Sequence, residues 1–384
     1  MERPSLMGMP ANKRVRAVRK FLTVLILTGT VTAGAGAAAD LEPELKEPTG
    51  PAPTESTAPA VHSRKGFPYS FDDVSGNLVI ITCQSPMGGS SGSGFIARMD
   101  GKTYIFTNQH VIMGAQSIEF VTIKGEHLKP TAVELSARRD IARLLIDDRE
   151  DALEISTEAG MGLPCAVYGN SEGAGVATEL YGEITGVGAD LLEVSAEFVA
   201  GNSGSPVLNE KKEVVGIASY VRFSTPSRMT ENTRFENQAR RFCFRLSNAR
   251  WAKVNWRKYN EDYGLPYREH EAAVTSLFEI IGGLFEEPFN AVSVSTSDSE
   301  LRKWCGEYNR IVSNRGSQLR RDVGNSTEVL SAYCQRRARS MESMLEKRDL
   351  TGFLREEFEG FAYAYGYAVE AIDYYETKLP GLSY

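Results

Sequence analysis

From about residue 76 the apolar positions fall in short runs broken by turn residues, a spacing that predicts strands and not helices. "NLVIITC" (77–83) is followed by the glycine-rich "MGGSSGSG" (87–94), and "FIARM" (95–99) and "KTYIFTN" (102–108) flank Asp100-Gly101, a hairpin signal. "SIEFVTI" (117–123), "TAVELS" (131–136), "IARLLID" (141–147), "PCAVYG" (164–169), "ELYGEITG" (179–186), "LLEVSAEF" (191–198) and "EVVGIASYV" (213–221) continue the series. Many short strands without a long helical pattern predict an all-β barrel or sandwich.

The pattern changes after about residue 225. "RRFCFRL" (240–246) still alternates like a strand, but helix signals dominate beyond it. Leu354, Phe358, Phe361, Tyr365, Val369 and Ile372 follow steps of three and four residues and form one apolar stripe. Asn325-Ser326-Thr327-Glu328 reads as a set of cap residues, and the aromatics between Phe353 and Tyr375 read as core or a helix-packing face. The predicted organisation is a β region over 70–225 and a mainly helical region over 226–384, with no internal repeat.

The N-terminus reads differently from both. Arg3, Lys13, Arg14, Arg16, Arg19 and Lys20 precede the apolar "FLTVLILTGTVTAGAGAAA" (21–39), whose small-residue end fits a cleavable signal peptide over 1–39. A membrane anchor is the alternative, because the apolar run approaches spanning length. Residues 40–68, rich in Pro, Glu, Ser, Thr and Ala with no apolar period, read as a flexible linker.

Composition narrows the function classes. The chain is 42% hydrophobic and 24% charged, an ordinary globular balance. Its formal charge of −7 becomes −12 once the leader's six basic groups and Glu2 are removed. An acidic mature chain has no general attraction for nucleic acid, so none is expected as a partner. Five cysteines are too few for a disulfide scaffold and odd in number. Cys305 with Cys334 is the candidate pair; five buried thiols is the other reading.

The candidate chemistry lies in "EFVAGNSGSPVL" (197–208), where Ser203 stands among small residues ahead of a strand. Of the four histidines, His62 falls in the linker, His127 follows a turn, and His270 beyond the β region is expected to be solvated. His110, in "YIFTNQHVI" (104–112), sits at a strand end that can hold a general base. Asp140 opens the apolar run in "RRDIARLLID" (138–147). The order His, Asp, Ser differs from the Ser, acid, His of α/β-hydrolases and the Asp, His, Ser of subtilisins.

Together "GSGF" (92–95), "TNQHV" (107–111), "DIA" (140–142) and "GNSGSP" (201–206) resemble the trypsin-like, chymotrypsin-fold serine peptidases, nearest the compact bacterial HtrA type. The resemblance covers about residues 75–222 and shows no PDZ-like pattern after them. It implies two antiparallel β-barrels, here followed by the helical region. His110 and Asp140 would come from the first barrel and Ser203 from the second. It also implies a catalytic triad, an oxyanion hole from the backbone N–H groups of Gly201 and Ser203, a protein or peptide substrate, and no cofactor or metal. Two residues depart from the family pattern: Ser205 stands where a second glycine is usual, and Arg143 stands where an apolar residue is usual. Ser205 is expected to be tolerated and Arg143 to point out of the barrel.

By the same resemblance, the base of the primary specificity pocket is Glu197, or else Glu197 faces solvent if the short loop shifts the register. Ser219, Tyr220 and Val221 correspond to the pocket-lining strand. The function implied is an exported serine endopeptidase. The competing reading is an inactive protease-like scaffold whose helical region binds a partner.

Overall fold

The computed structural model describes residues 67–223, 233, 235 and 238–382. The expected signal peptide and nearly all of the expected linker lie outside the described residues. A short turn, α1 (Asp72–Ser75), leads into β1 (Leu78–Ser85), β2 (Gly88–Met99) and β3 (Lys102–Thr107). The turn α2 (Gln109–Ile112) follows, then β4 (Ser117–Thr122), β5 (His127–Leu128), β6 (Ala132–Ser136) and β7 (Ala142–Leu145). The second half of the β region contains β8 (Pro164–Gly169), β9 (Thr178–Val187), β10 (Leu191–Val194), β11 (Pro206–Leu208), β12 (Val214–Phe223) and β13 (Ala239–Phe244). After β14 (Trp251–Val254) the chain is helical: α3 (Trp256–Tyr259), α4 (Leu265–Glu286), α5 (Ser299–Asn314), α6 (Leu319–Leu345) and α7 (Gly352–Lys378).

The strands form two sheets. One is eight-stranded, in the order β14-β6-β7-β3-β2-β1-β4-β5; the other is a closed barrel, β10-β13-β12-β11-β8-β9, and every strand pairing is antiparallel. The Asp100-Gly101 hairpin joins β2 to β3, with Met99 opposite Lys102. The predicted all-β architecture with a helical tail is therefore the fold. The β region extends past residue 225, however: β13 closes the barrel between β10 and β12, and β14 returns to the first sheet as the partner of β6. β13 overlaps the stretch that alternates like a strand, whereas β14, Trp-Ala-Lys-Val, is too short to show a period.

Three apolar clusters hold the described residues together. Cys165, Val167, Ile184, Val207 and Val215 fill the closed barrel. Phe95 and Phe106, stacked at 5.5 Å, lie with Tyr168, Leu208 and Ile217 in a cluster that draws on both sheets. In the third, Ile81, Ile105, Leu135 and Leu144 of the first sheet join Leu277, Leu330, Phe358 and Ile372 of the helices in one core. Each such side chain contributes on the order of 1.5–3 kcal/mol of burial, so the helices are fused to the first sheet by packing. The stripe on α7 is buried as its spacing predicts, except that Val369 is partly exposed.

Several expectations are corrected. Asn325 to Glu328 sit inside α6, with Ser326 and Thr327 buried, because continuous packing carries that helix through residues suited to a cap. The side-chain caps among the described residues are Asn255, accepting from Lys258 N at 3.3 Å, Asp298, accepting from Leu301 N at 2.9 Å, and Thr351, accepting from Leu354 N at 3.3 Å. All five cysteines are buried free thiols, so Cys305 and Cys334 are not bonded. His270 is 3% exposed, with Nδ1 3.0 Å from the Tyr365 hydroxyl. Burial and the nearby Arg337 cation push His270 down to about 4. Arg143 takes the strand face alternate to core residues Ala142 and Leu144, and that face is covered by other side chains. It is 7% exposed, stacked over Tyr104 and Trp251 at 4.5 and 4.7 Å, and it donates to Glu134 across the β6–β7 pair. The two rings and the carboxylate replace the hydration that the guanidinium loses.

Candidate active site

The turn carrying His110 is short because the chain leaves β3 in an extended conformation at Asn108 and makes one helical hydrogen bond, Met113 N to Gln109 O at 3.0 Å. The side chains of the two residues before His110 fix the turn. Asn108 Nδ2 donates to the Asp140 carbonyl at 2.6 Å, and Gln109 Nε2 donates to the carbonyls of Ser136 and Arg139 at 3.0 and 2.7 Å. These bonds draw the residues ahead of β7 against the turn.

Asp140 thereby faces His110. Its Oδ2 lies 2.5 Å from His110 Nδ1, and its Oδ1 accepts the backbone N–H of His110 at 3.0 Å. Both residues are buried, at 9% and 7% exposure, where a charge-assisted bond is little screened. The Ser219 hydroxyl also approaches Asp140 Oδ2, at 3.4 Å. Behind the pair, burial and the carboxylates of Glu271, Asp140 and Glu356 push Glu357 up to about 8, so it is largely neutral at pH 7.

Ser203 belongs to the closed barrel but is held from both sheets. The Ser93 N–H donates to the Ser203 carbonyl at 2.9 Å, and Ser93 Oγ donates to the Gly201 carbonyl at 2.8 Å. Ser93 is the serine of "GSGF", so that motif stitches the first sheet to the Ser203 turn. On the other side Gly204 N donates to Ala218 O, and Ala218 N to Ser205 O, both at 2.9 Å. Gly169 makes room for Ser205, since a Cβ at 169 would lie 1.7 Å from Ser205 Oγ, although that buried hydroxyl has no hydrogen-bond partner among the described residues. Ser203 Oγ donates to the Ser219 carbonyl at 3.1 Å, and no hydrogen bond joins it to His110.

Gly201 has φ +85°, and a Cβ there would come within 2.2 Å of the Asn170 carbonyl oxygen, so only glycine suits the position. The Ala200 carbonyl accepts from Glu172 N at 2.7 Å. In a trans peptide the N–H points opposite to the carbonyl, so the Gly201 N–H points away from Glu172. Among the described residues neither Gly201 N–H nor Ser203 N–H has an acceptor. The result is a pair of free backbone donors on the turn that carries the Ser203 hydroxyl, with Ser219 joining that turn to the Asp140–His110 pair.

The pocket candidates separate. Ser219 lies in the irregularity of the β12–β13 pairing and touches both Ser203 and Asp140. Tyr220 stacks on Phe242 at 5.1 Å, and Val221 is half-buried opposite Arg241. Glu197 is exposed, as the alternative for it expected, and its charge acts on Arg241. Sequence reasoning missed the roles of Ser93, Asn108 and Gln109, although all three lie inside the quoted motifs.

This arrangement defines a class. The profile of the family described as "Trypsin-like peptidase domain" matches residues 92–217, and the β region is similar to the peptidase domains of HtrA-type serine proteases. A "Probable periplasmic serine endoprotease DegP-like" of Rhizobium meliloti (strain 1021) is 32% identical over 140 residues, which are 33% of this chain and 27% of that protein. The "Serine protease Do-like HtrA" of Bacillus subtilis (strain 168) is 29% identical over 149 residues, covering 34% of this chain and 33% of that one. The chain thus spans about a third or less of the length of these relatives. A solved serine endoprotease from Yersinia pestis is similar at 26% identity, with a TM-score of 0.36 over 46% of this chain and 63% of that one. Among the described residues no helix is long and apolar enough to cross a membrane.

Proposed function

We propose that the protein is an exported serine endopeptidase that cleaves protein or peptide substrates through His110, Asp140 and Ser203. The observation that carries this reading is the buried Asp140 carboxylate 2.5 Å from His110 Nδ1, linked through Ser219 to a serine turn with two free N–H donors. Asp140 holds the proton on Nδ1, which leaves Nε2 as the base that takes the Ser203 proton during attack on the scissile carbonyl. The N–H groups of Gly201 and Ser203 stabilise the developing oxyanion. Nε2 then protonates the leaving amine, and water releases the acyl group by the same route. Ser219, Tyr220 and Val221 line the substrate side of β12. The relatives named periplasmic and the leader over 1–39 support export.

A second reading, a protease-like scaffold without turnover, draws on one observation: the Ser203 hydroxyl donates to Ser219 O. Rotation about one side-chain bond redirects that hydroxyl, and catalytic hydrogen bonds are often unformed before substrate binds. A fluorophosphonate probe separates the readings. The first expects labelling of the wild type and none of S203A, with hydrolysis of peptides carrying Arg, Leu or Ala before the scissile bond lost in parallel. Folded wild type that neither labels nor hydrolyses would establish the scaffold.

A further inference from the structure

The turn that carries His110 is too short to satisfy its own backbone. A helix leaves its last carbonyls without internal partners, and here the helix stops after one turn. The partners come from 145 or more residues away, in the helical region. Asn260 Oδ1 accepts the Gly114 N–H at 2.7 Å, and Asn260 Nδ2 donates to the Ala115 carbonyl at 2.8 Å. Arg268 of α4 donates through Nε to the Met113 carbonyl at 3.0 Å and through a terminal nitrogen to the carbonyl of His110 itself. Its other terminal nitrogen donates to Glu271 Oε2 at 2.7 Å. Arg268 is 8% exposed and spans both carbonyls with one rigid, planar group.

The fit is close. Gly114 has φ +74°, and a Cβ there would lie 2.2 Å from Arg268 Cγ, so the turn and α4 are in contact without intervening solvent. A second brace comes from α7: the Thr351 hydroxyl donates to Gln109 Oε1 at 3.0 Å, Gly352 N donates to the Ala137 carbonyl at 2.8 Å, and the Phe353 ring lies 6.5 Å from the imidazole. The residues before and after His110 and the approach to Asp140 are therefore all held by the helical region.

We propose that Arg268 is a positioning residue for His110, and that the helical region is the brace that holds the imidazole in register with Asp140 and Ser203. The proposal rests on the reading of His110 as the general base. A misplacement of about 1 Å at such a group costs on the order of 100-fold in rate. The brace should therefore act on turnover and leave substrate binding in place.

The test uses the full chain with R268M and R268K, and L330A as a control. Leu330 is a fully buried residue of α6 whose side chain offers the turn no hydrogen bond. Circular dichroism and thermal unfolding report folding. Peptide hydrolysis, fluorophosphonate labelling and the proton NMR signal of the His110 Nδ1–H report the site. The expected result is folded R268M with kcat and labelling rate lowered at least tenfold at unchanged KM, its His110 signal shifted or lost, and R268K intermediate. Lysine keeps the charge but cannot span both carbonyls. Should R268M not fold, R268K carries the test alone, with its intermediate loss of kcat and labelling rate at unchanged KM as the expected result. Wild-type rates and an unchanged His110 signal in the folded variant overturn the proposal, as does an equal loss of rate in L330A at equal loss of Tm. Wild type without labelling or hydrolysis refutes the peptidase reading instead. The brace is then judged on the His110 signal: altered in R268K it stands, unchanged it falls.

Discussion

Replacing Asp140 by asparagine tests the site most directly, because the surroundings dictate how the new amide must sit. The carboxylate meets two groups of His110, the backbone N–H at Oδ1 (3.0 Å) and Nδ1 at Oδ2 (2.5 Å). An asparagine has one oxygen and one NH2 for these two places. The NH2 at the first place would face a buried peptide N–H that can only donate, at a cost of about 1–3 kcal/mol for the unmet donor. At the second it faces a ring nitrogen that can exchange tautomer, and the Ser219 hydroxyl 3.4 Å from the same atom can rotate to accept. The second orientation wins, and the proton moves to Nε2. An imidazole in that tautomer cannot take the serine proton. In the serine-protease mechanism this swap lowers kcat by about 10⁴-fold, which is about 5.5 kcal/mol of barrier. The fold should change little, since every contact keeps a partner. The assay is hydrolysis and fluorophosphonate labelling of D140N near pH 7, with nitrogen NMR of the imidazole to read the tautomer. Activity within tenfold of wild type, or a proton still on Nδ1, would refute the reasoning.

Two further predictions concern the elements that carry the site. Replacing Arg143 with methionine removes two ring contacts and leaves Glu134 unpaired in a largely buried setting. The expected loss is about 2–4 kcal/mol by chemical denaturation, part of it recovered in E134Q/R143M, and a loss below about 0.5 kcal/mol would refute the cation–ring account. His270 is lowered from 6.5 to about 4, so the unfolded chain binds more protons than the folded one between those values. Stability is then complete above pH 6.5 and declines as pH falls toward 4, by on the order of 3 kcal/mol in all. Thermal unfolding across that range should show a shallower pH dependence for H270Q, and identical slopes would discard the assignment.

The alternation of short apolar runs was enough to announce a β region, since a strand with one buried face writes its period of two directly into the chain. The motifs around His110, Asp140 and Ser203 were equally legible, because small residues beside a nucleophile and a base at a strand end are local features. Gly201 could be singled out for the same reason: its φ of +85° demands a residue without a Cβ. Leu354, Phe358 and Phe361 declared the face that α7 buries.

Other features were decided by partners remote in sequence. Arg143 looked like an outward residue until Tyr104, Trp251 and Glu134 closed around it. His270, in an unremarkable polar stretch, is buried against α7. The strands β13 and β14 depend on edges that the earlier strands leave open. Asn260 and Arg268 have no motif, because they serve carbonyls and an N–H, which every residue possesses and no sequence pattern marks. Side-chain identities and local periods thus determined which chemistry the chain carries and which segments bury a face. Tertiary packing alone determined what holds that chemistry still, because hydrogen bonds to the backbone become visible only when two distant segments meet.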